Sequence, residues 1–105
     1  MSSPVDFPFD VALVLRVGGD VVASWGDLSR ARPLASVTKP IVAWSALVAV
    51  DRGLLDLGAP AGAPAPDGAT IGHLLSHSSG IAIDSDGRLA APGTRRIYSN
   101  RGIEI

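Results

Sequence analysis

Cysteine is absent from this chain of 105 residues, which excludes disulfide bonds and thiolate metal sites and leaves the cellular compartment open. Basic charge is not in excess either, since nine Lys and Arg face ten Asp and Glu. Without a basic block, nothing in the sequence suggests a nucleic-acid partner. Long apolar runs are also missing. The longest, residues 41–50, is about half of the ~18–20 residues that a membrane span requires.

The N-terminus lacks the features of a secretion signal. Residues 1–6 contain neither a basic stretch nor an apolar core, so we expect a cytoplasmic protein without a membrane partner. With 47% hydrophobic and 18% charged residues, the composition is that of a globular protein of one domain or less.

Two β-strands are predicted first. Residues 11–17 are rich in β-branched side chains, residues 18–20 read Gly-Gly-Asp, and residues 21–25 supply a returning strand. Turn chemistry between two such runs predicts an antiparallel hairpin.

Helices are predicted in three places. The apolar run from Ser36 to about Asp51 indicates a helix buried on most faces, with Pro40 in its first turn and Trp44 in the core. A Pro/Gly loop follows over residues 58–69, and a short helix capped by Thr70 spans residues 71–77. A further helix begins after Tyr98-Ser99-Asn100. A lone hairpin is marginal in water, so we expect these residues to be the N-terminal part of a larger fold.

The most informative motif is Ser36-Val37-Thr38-Lys39. Residues three apart share a helix face, with Cβ atoms about 5–6 Å apart, so the Ser36 hydroxyl and the Lys39 amine can meet. A serine becomes a nucleophile when a neighbouring base accepts its proton. The alternative is that Ser36 only caps the helix and Lys39 is solvated.

Two further motifs follow in order. They are His73-Leu74-Leu75-Ser76-His77-Ser78-Ser79-Gly80 and Pro92-Gly93-Thr94 leading into Tyr98-Ser99-Asn100. Together with Ser36-x-x-Lys39 they resemble the serine β-lactamase and penicillin-binding-protein-like superfamily, in particular class C-type enzymes, related esterases and D-alanyl carboxypeptidases. Tyr98-x-Asn100 stands where class A enzymes have Ser-Asp-Asn.

This resemblance implies a fold and a set of roles. The fold class is α+β, the N-terminal part of a single β-lactamase/transpeptidase-like domain over residues 1–105: a sheet hairpin, a buried nucleophile helix and part of the helical region. Ser36 would be the acylated nucleophile, Lys39 its activating partner and Tyr98 a general base or proton relay. Asn100 would hold Lys39 and a substrate carbonyl. Whether Lys39 or Tyr98 accepts the serine proton stays open.

Two departures from the family pattern modify the expected activity. The Lys- or His-Thr/Ser-Gly strand, which gives one of two oxyanion-hole N–H groups, is absent, so we expect residues 1–105 alone to be inactive and poorly soluble. The segment between Gly80 and Tyr98 is much shorter than the corresponding segment of class C enzymes, which favours a compact esterase or peptidase-like hydrolase over a β-lactamase.

Other functions compete with this interpretation. A non-catalytic relative would keep the fold as a binding or assembly module. His73 and His77 are four apart, a spacing that suits a metal, but no glutamate or cysteine accompanies them, and the resemblance makes their segment structural. We therefore expect no metal or cofactor, and a small-molecule or peptide-like substrate as the partner.

Overall fold

The computed structural model describes residues 6–105, which form two compact units. The first ends at Pro33 and the second begins at Leu34. Most of the N-terminal stretch considered for a secretion signal lies outside the described residues. No helix among residues 6–105 has both the length and the apolar character needed to cross a membrane.

The first unit contains the hairpin of strands β1 (Leu13–Val17) and β2 (Asp20–Trp25). The strands pair antiparallel, with Leu13 opposite Trp25 and Val17 opposite Asp20, and the register shifts between Leu15 and Arg16. Gly18 and Gly19 form the two-residue turn, with φ of +57° and +92°. Positive φ at both central residues is what a tight hairpin turn requires, so the predicted hairpin is confirmed.

The second unit begins with a 3₁₀ helix, Ala35–Val37, that continues into helix α1, Thr38–Asp51. Pro40 is in the first turn of α1, where the missing N–H is tolerated. Gly53 follows the C-cap with φ of +69°, the left-handed conformation that commonly ends a helix.

The predicted burial of this helix is wrong for the described chain. None of the residues of α1 is buried, and Trp44, expected in the core, is 73% exposed. The helix is apolar all round, so its side chains need neighbours on every side. The second unit, Leu34–Ile105, has too little structure to surround it, because small chains bury a smaller fraction of their surface.

Two short helices complete the second unit. Helix α2 is Ile71–Leu75, and Thr70 forms a capping box with His73 at its start. Helix α3 is Asn100–Glu104, and its N-cap is Ser99 rather than Asn100. The small core lies between these helices and the intervening loop, where Ile81 is fully buried and Ser99 is 1% exposed.

Backbone hydrogen bonds join the segment after α2 to the segment before α3. Gly93 donates to Ser78 at 2.7 Å, Ile97 donates to His77 at 2.7 Å, and Arg101 donates to Ile83 at 2.9 Å. Their consequence is that residues 77–83 fix the position of residues 93–101, which include Tyr98.

Candidate active site

Ser36 and Lys39 come together because a short stretch of chain turns from 3₁₀ to α-helix between them. Ser36 is in the 3₁₀ helix and Lys39 is the second residue of α1. Lys39 Nζ donates to Ser36 Oγ at 3.4 Å. The sequence-predicted pair is therefore in hydrogen-bond contact, on the face that the three-residue spacing predicts.

Tyr98 reaches Ser36 from the far end of the unit. Ser36 Oγ and Tyr98 Oη share a hydrogen bond of 2.5 Å, and Lys39 Nζ lies 4.9 Å from the centre of the Tyr98 ring. Three of the four predicted site residues thus converge on one point, although Tyr98 is separated from Ser36 by 62 positions.

The pKa of the Tyr98 phenol is lowered from its ordinary value of 10.0. Hydrogen bonding to Lys39 is the main cause and hydrogen bonding to Ser36 the second, whereas partial burial and the Asp84 carboxylate act in the opposite direction. A nearby cation and hydrogen-bond donors both favour the phenolate. Tyr98 is therefore the group at Ser36 whose acidity the site itself increases.

Ser99 secures the backbone next to Tyr98. Its Oγ donates to the Ala82 carbonyl at 2.6 Å and accepts from the Gly102 N–H at 2.8 Å. The second bond is an N-cap of α3, which satisfies one of the N–H groups that a helix leaves unpaired at its start. One buried hydroxyl thus links the loop at Ala82 to the helix that follows Tyr98.

The side chain of Asn100 makes its hydrogen bond to a residue outside the predicted site. It is the first residue of α3, and its Nδ2 donates to Asp84 Oδ1 at 2.7 Å. Within residues 6–105 no hydrogen bond joins Asn100 to Lys39. Its expected role toward a substrate carbonyl stays a prediction.

The imidazoles of His73 and His77 accept hydrogen bonds from different segments of the backbone. His73 Nδ1 accepts the Thr70 N–H at 3.1 Å, and His77 Nδ1 accepts the Ser99 N–H at 3.1 Å. His77 lies beyond the end of α2, so the two imidazoles do not share a helix face. Across residues 6–105, no three His, Cys, Asp or Glu side chains gather into a potential metal site.

A cavity of about 310 Å³ opens beside Ser36. Its polar lining includes Lys39 and Arg96, and it has no acidic side chain. The remaining lining residues are Pro40, Ala43, Leu75, His77, Tyr98 and Ile103. Ser36 therefore faces a space bordered by apolar groups and two cations.

The sequence did not indicate that Arg96 lines this cavity or that His77 is a neighbour of Tyr98. The His77 and Tyr98 rings are stacked, with centroids 4.8 Å apart and planes 29° apart. Burial, followed by the positive charges of Arg96 and Lys39, lowers the pKa of His77 below 6.5. The motif that contains His77 was the one signal for this part of the chain. The contact between His77 and Tyr98 joins distant positions, so no local sequence pattern encodes it.

Comparisons with known proteins agree with this architecture. The crystal structure of a β-lactamase from Mycobacterium bovis is 55% identical, with a TM-score of 0.66, over 78% of this chain and 29% of that chain. This chain thus spans less than a third of that enzyme. No curated protein matches it significantly. The hairpin and helices are consistent with a fragment of a β-lactamase-like fold. A β-lactamase family model matches residues 10–105, and the chain belongs to the β-lactamase family.

Proposed function

We propose that this chain supplies the nucleophile side of a serine hydrolase that works through an acyl-enzyme at Ser36. The substrates would be ester, amide or β-lactam carbonyls. The observation that supports this most is the 2.5 Å hydrogen bond between Ser36 Oγ and Tyr98 Oη, with Lys39 Nζ 3.4 Å from the same serine oxygen. A nucleophile in contact with a base that a third group tunes is the general arrangement for acyl transfer.

In this proposal Tyr98 is the general base. Its phenolate accepts the Ser36 proton as Oγ attacks the carbonyl carbon, and the C=O electron pair moves onto the oxygen. When the tetrahedral intermediate collapses, the Tyr98 hydroxyl returns the proton to the leaving group. In the second step water attacks the acyl carbon while Tyr98 accepts the water proton. Ser36 Oγ then leaves and takes that proton back from Tyr98. Tyr98 is favoured over Lys39 because it is closer to Ser36 Oγ and its pKa is lowered.

Lys39 has two functions in this scheme. It donates to Ser36 Oγ, which orients the nucleophile, and it stabilises the phenolate of Tyr98. As the phenolate takes up the serine proton, negative charge moves toward the substrate oxygen. The Lys39 ammonium remains next to Ser36 Oγ and the Tyr98 phenol oxygen, so its positive charge continues to offset the negative charge in this part of the site.

The oxyanion requires hydrogen-bond donors. Ser36 is at the start of a helix, where N–H groups have no intrahelical acceptor, so its own N–H is the first donor in this proposal. We place the second donor outside residues 6–105. Removing one donor costs about 3–4 kcal/mol of transition-state stabilisation. We therefore expect the 105-residue chain to acylate slowly and to turn over poorly.

The substrate class follows from the access to Ser36. The segment between Gly80 and Tyr98 is short, so this segment adds little to a cleft above Ser36, where Tyr98 is 44% exposed. Such an open site accommodates compact esters or short peptides better than it encloses a large ligand. An esterase or carboxypeptidase-like activity is the form of hydrolase that we propose.

A covalent probe tests the proposal. We expect an excess of a fluorophosphonate to add one phosphonyl group to the folded chain, seen as a mass shift and mapped to Ser36 by peptide sequencing. Ser36→Ala should abolish the adduct, and Ser45→Ala, a matched serine of α1, should keep it. A folded chain without an adduct at Ser36 contradicts the proposal. Reversible ligand binding that survives Ser36→Ala without any adduct would instead indicate a non-catalytic binding module.

A further inference from the structure

Two hydrogen bonds to one histidine bracket Tyr98. The Ile97 N–H donates to the His77 carbonyl at 2.7 Å, and the Ser99 N–H donates to His77 Nδ1 at 3.1 Å. The residues immediately before and after Tyr98 are therefore both attached to His77. With its backbone held on both sides, the phenol can approach Ser36 from a restricted set of directions.

The side chains of His77 and Tyr98 are also in direct contact. The His77 ring stacks on the Tyr98 ring at a centroid distance of 4.8 Å, an arrangement that favours a fixed ring orientation. At its oxygen the Tyr98 phenol interacts with Ser36 and Lys39, and 44% of the residue is exposed. His77 thus holds the residues on both sides of Tyr98 by hydrogen bonds and contacts Tyr98 itself through its ring.

The backbone of His77 is itself unusual. Its φ is +57°, and among residues 6–105 the only other non-glycine residue with positive φ is Ala35, which immediately precedes Ser36. Left-handed backbone is unfavourable for an L-residue, and such conformations cluster at functional sites. One of the two examples here, Ala35, adjoins Ser36, and the other, His77, stacks on Tyr98.

We infer that His77 is a positioning residue that holds the Tyr98 phenol against Ser36, and that it does so only as a neutral imidazole. Nδ1 accepts the Ser99 N–H, so the ring proton must be on Nε2. The catalytic consequence rests on the proposed function of Ser36. The structural part, that His77 sets the Tyr98 geometry, does not.

Protonation of His77 would break this arrangement. An imidazolium has no acceptor at Nδ1, so the Ser99 N–H would lose its partner. The charged and titratable groups around the His77 ring are Lys39 from α1, Arg96 from the loop that precedes Tyr98, and Tyr98 itself. Both cations oppose a further positive charge, as burial does, and together they keep the acceptor available at neutral pH.

The single tyrosine of the chain makes a direct test possible. The phenolate absorbance then titrates Tyr98 alone. The pKa of Tyr98 is lowered by Lys39 and Ser36, and His77 is not among its causes. Loss of the His77 ring would by itself expose the phenol and lower its pKa, so a rise in the pKa reports that the phenol has moved away from Lys39 and Ser36.

Two variants separate the hydrogen bond from general disruption. His77→Gly tolerates positive φ but lacks the ring, so we expect the phenol pKa to rise toward 10.0. His77→Asn also tolerates this backbone and retains an acceptor, so it should stay closer to the unmodified protein. His73→Asn, at the other histidine that accepts a backbone N–H, should not change the titration. Titration of His77→Gly at the unmodified value, or equal shifts for Gly and Asn, would overturn the inference.

A second measurement needs no variant. In the unmodified protein, the protection of the Ser99 amide against hydrogen exchange, measured relative to its intrinsic rate at each pH, should fall as His77 protonates, because its acceptor is the ring. The Ile97 amide is the internal control, since its acceptor is the His77 carbonyl. Ser99 and Ile97 amides that respond equally to acid would refute the role of the ring.

The two proposals can fail separately. If Ser36 takes no phosphonyl group while His77→Gly shifts the phenol titration, the hydrolase proposal is wrong and the positioning role stands. If Ser36 is labelled and His77→Gly leaves both the titration and the labelling rate unchanged, the positioning role is wrong. With both correct, His77→Gly should label about a hundredfold more slowly, the effect of a small misplacement of a reacting group.

Discussion

Ser36 Oγ and Tyr98 Oη lie 2.5 Å apart, although 62 positions of sequence separate the two residues. The contact depends on two separate structural features. The 3₁₀ start of α1 presents Ser36, and the hydrogen bonds between residues 77–83 and residues 93–101 present Tyr98. Each feature is testable by a substitution that leaves the other intact.

Replacing Tyr98 by phenylalanine removes the proposed base while keeping the ring. The stack on His77 and the backbone bonds that flank position 98 remain possible, so we expect little loss of stability. General-base catalysis contributes about 10²–10⁴-fold, and the rate of phosphonylation of Ser36 should fall by that order. Time-resolved mass spectrometry measures the rate, and an unchanged rate in Tyr98→Phe would rule out Tyr98 as the base.

Replacing Lys39 by methionine removes the main cause of the lowered Tyr98 pKa. The phenol should then titrate closer to 10.0, because the phenolate loses a hydrogen-bond donor and a nearby cation. Lys39→Arg keeps the positive charge and is the matched control, for which we expect a smaller shift. Phenolate absorbance during a pH titration gives both values. A Lys39→Met protein that titrates like the unmodified chain would show that Lys39 does not tune Tyr98.

Acid should destabilise the second unit through His77. Its folded pKa is lowered below the unfolded value of 6.5, so the unfolded chain binds the proton more readily than the folded chain. The contribution to stability is complete above pH 6.5 and is lost as the pH falls through the lowered folded pKa. Denaturant unfolding from pH 7.5 to pH 5 should follow this trend, and His77→Asn should flatten it within that range.

Arg96 should shift the same titration. Its charge is the second cause of the lowered His77 pKa, so Arg96→Gln should raise that pKa. Arg95→Gln, a neighbouring arginine that does not line the cavity beside Ser36, is the matched control. Proton NMR of the imidazole resolves the two titrations. Equal values for the two variants would show that Arg96 does not act on His77.

Gly80 should be the glycine least tolerant of substitution in the loop below the site. Its φ is +85°, and an added Cβ would overlap the Ala90 carbonyl oxygen. Gly62 has a similar φ of +77° with no atom within 4 Å. Gly62→Ala should lose about 1–2 kcal/mol for the left-handed backbone alone. Gly80→Ala should lose about 3 kcal/mol or more, because a steric clash is added.

Denaturant unfolding of both alanine variants measures this difference. Gly80 lies between the loop that contains His77 and the buried Ile81, so its loss should also raise the Tyr98 pKa. Similar free energies of unfolding for the two variants would show that the close approach to Ala90 is not a constraint.

Local signals in the sequence were sufficient to predict several elements. The Gly18-Gly19 turn and the Thr70 cap each depend on residues a few positions apart, so their chemistry is readable without the fold. Ser36 and Lys39 belong to the same class, since a three-residue spacing places them on one face.

Long-range relations were less accessible. The burial of α1 was wrongly predicted, because apolar side chains show what a helix needs and not which neighbours are present to cover it. The bond between Asn100 and Asp84 and the attachment of His77 to the residue after Tyr98 join segments that are distant in the chain. No periodicity encodes such contacts. Tyr98 itself was found only through the resemblance of its motif to a known family.

The dependence of Ser36 labelling on pH tests the central claim most directly. If the Tyr98 phenolate is the base, the rate of phosphonylation should rise with pH along the same curve as the phenolate absorbance. Both midpoints should lie below 10.0 in the unmodified chain and move upward together in Lys39→Met. A labelling rate that follows a different titration, or that does not move when the phenol pKa moves, would contradict the account.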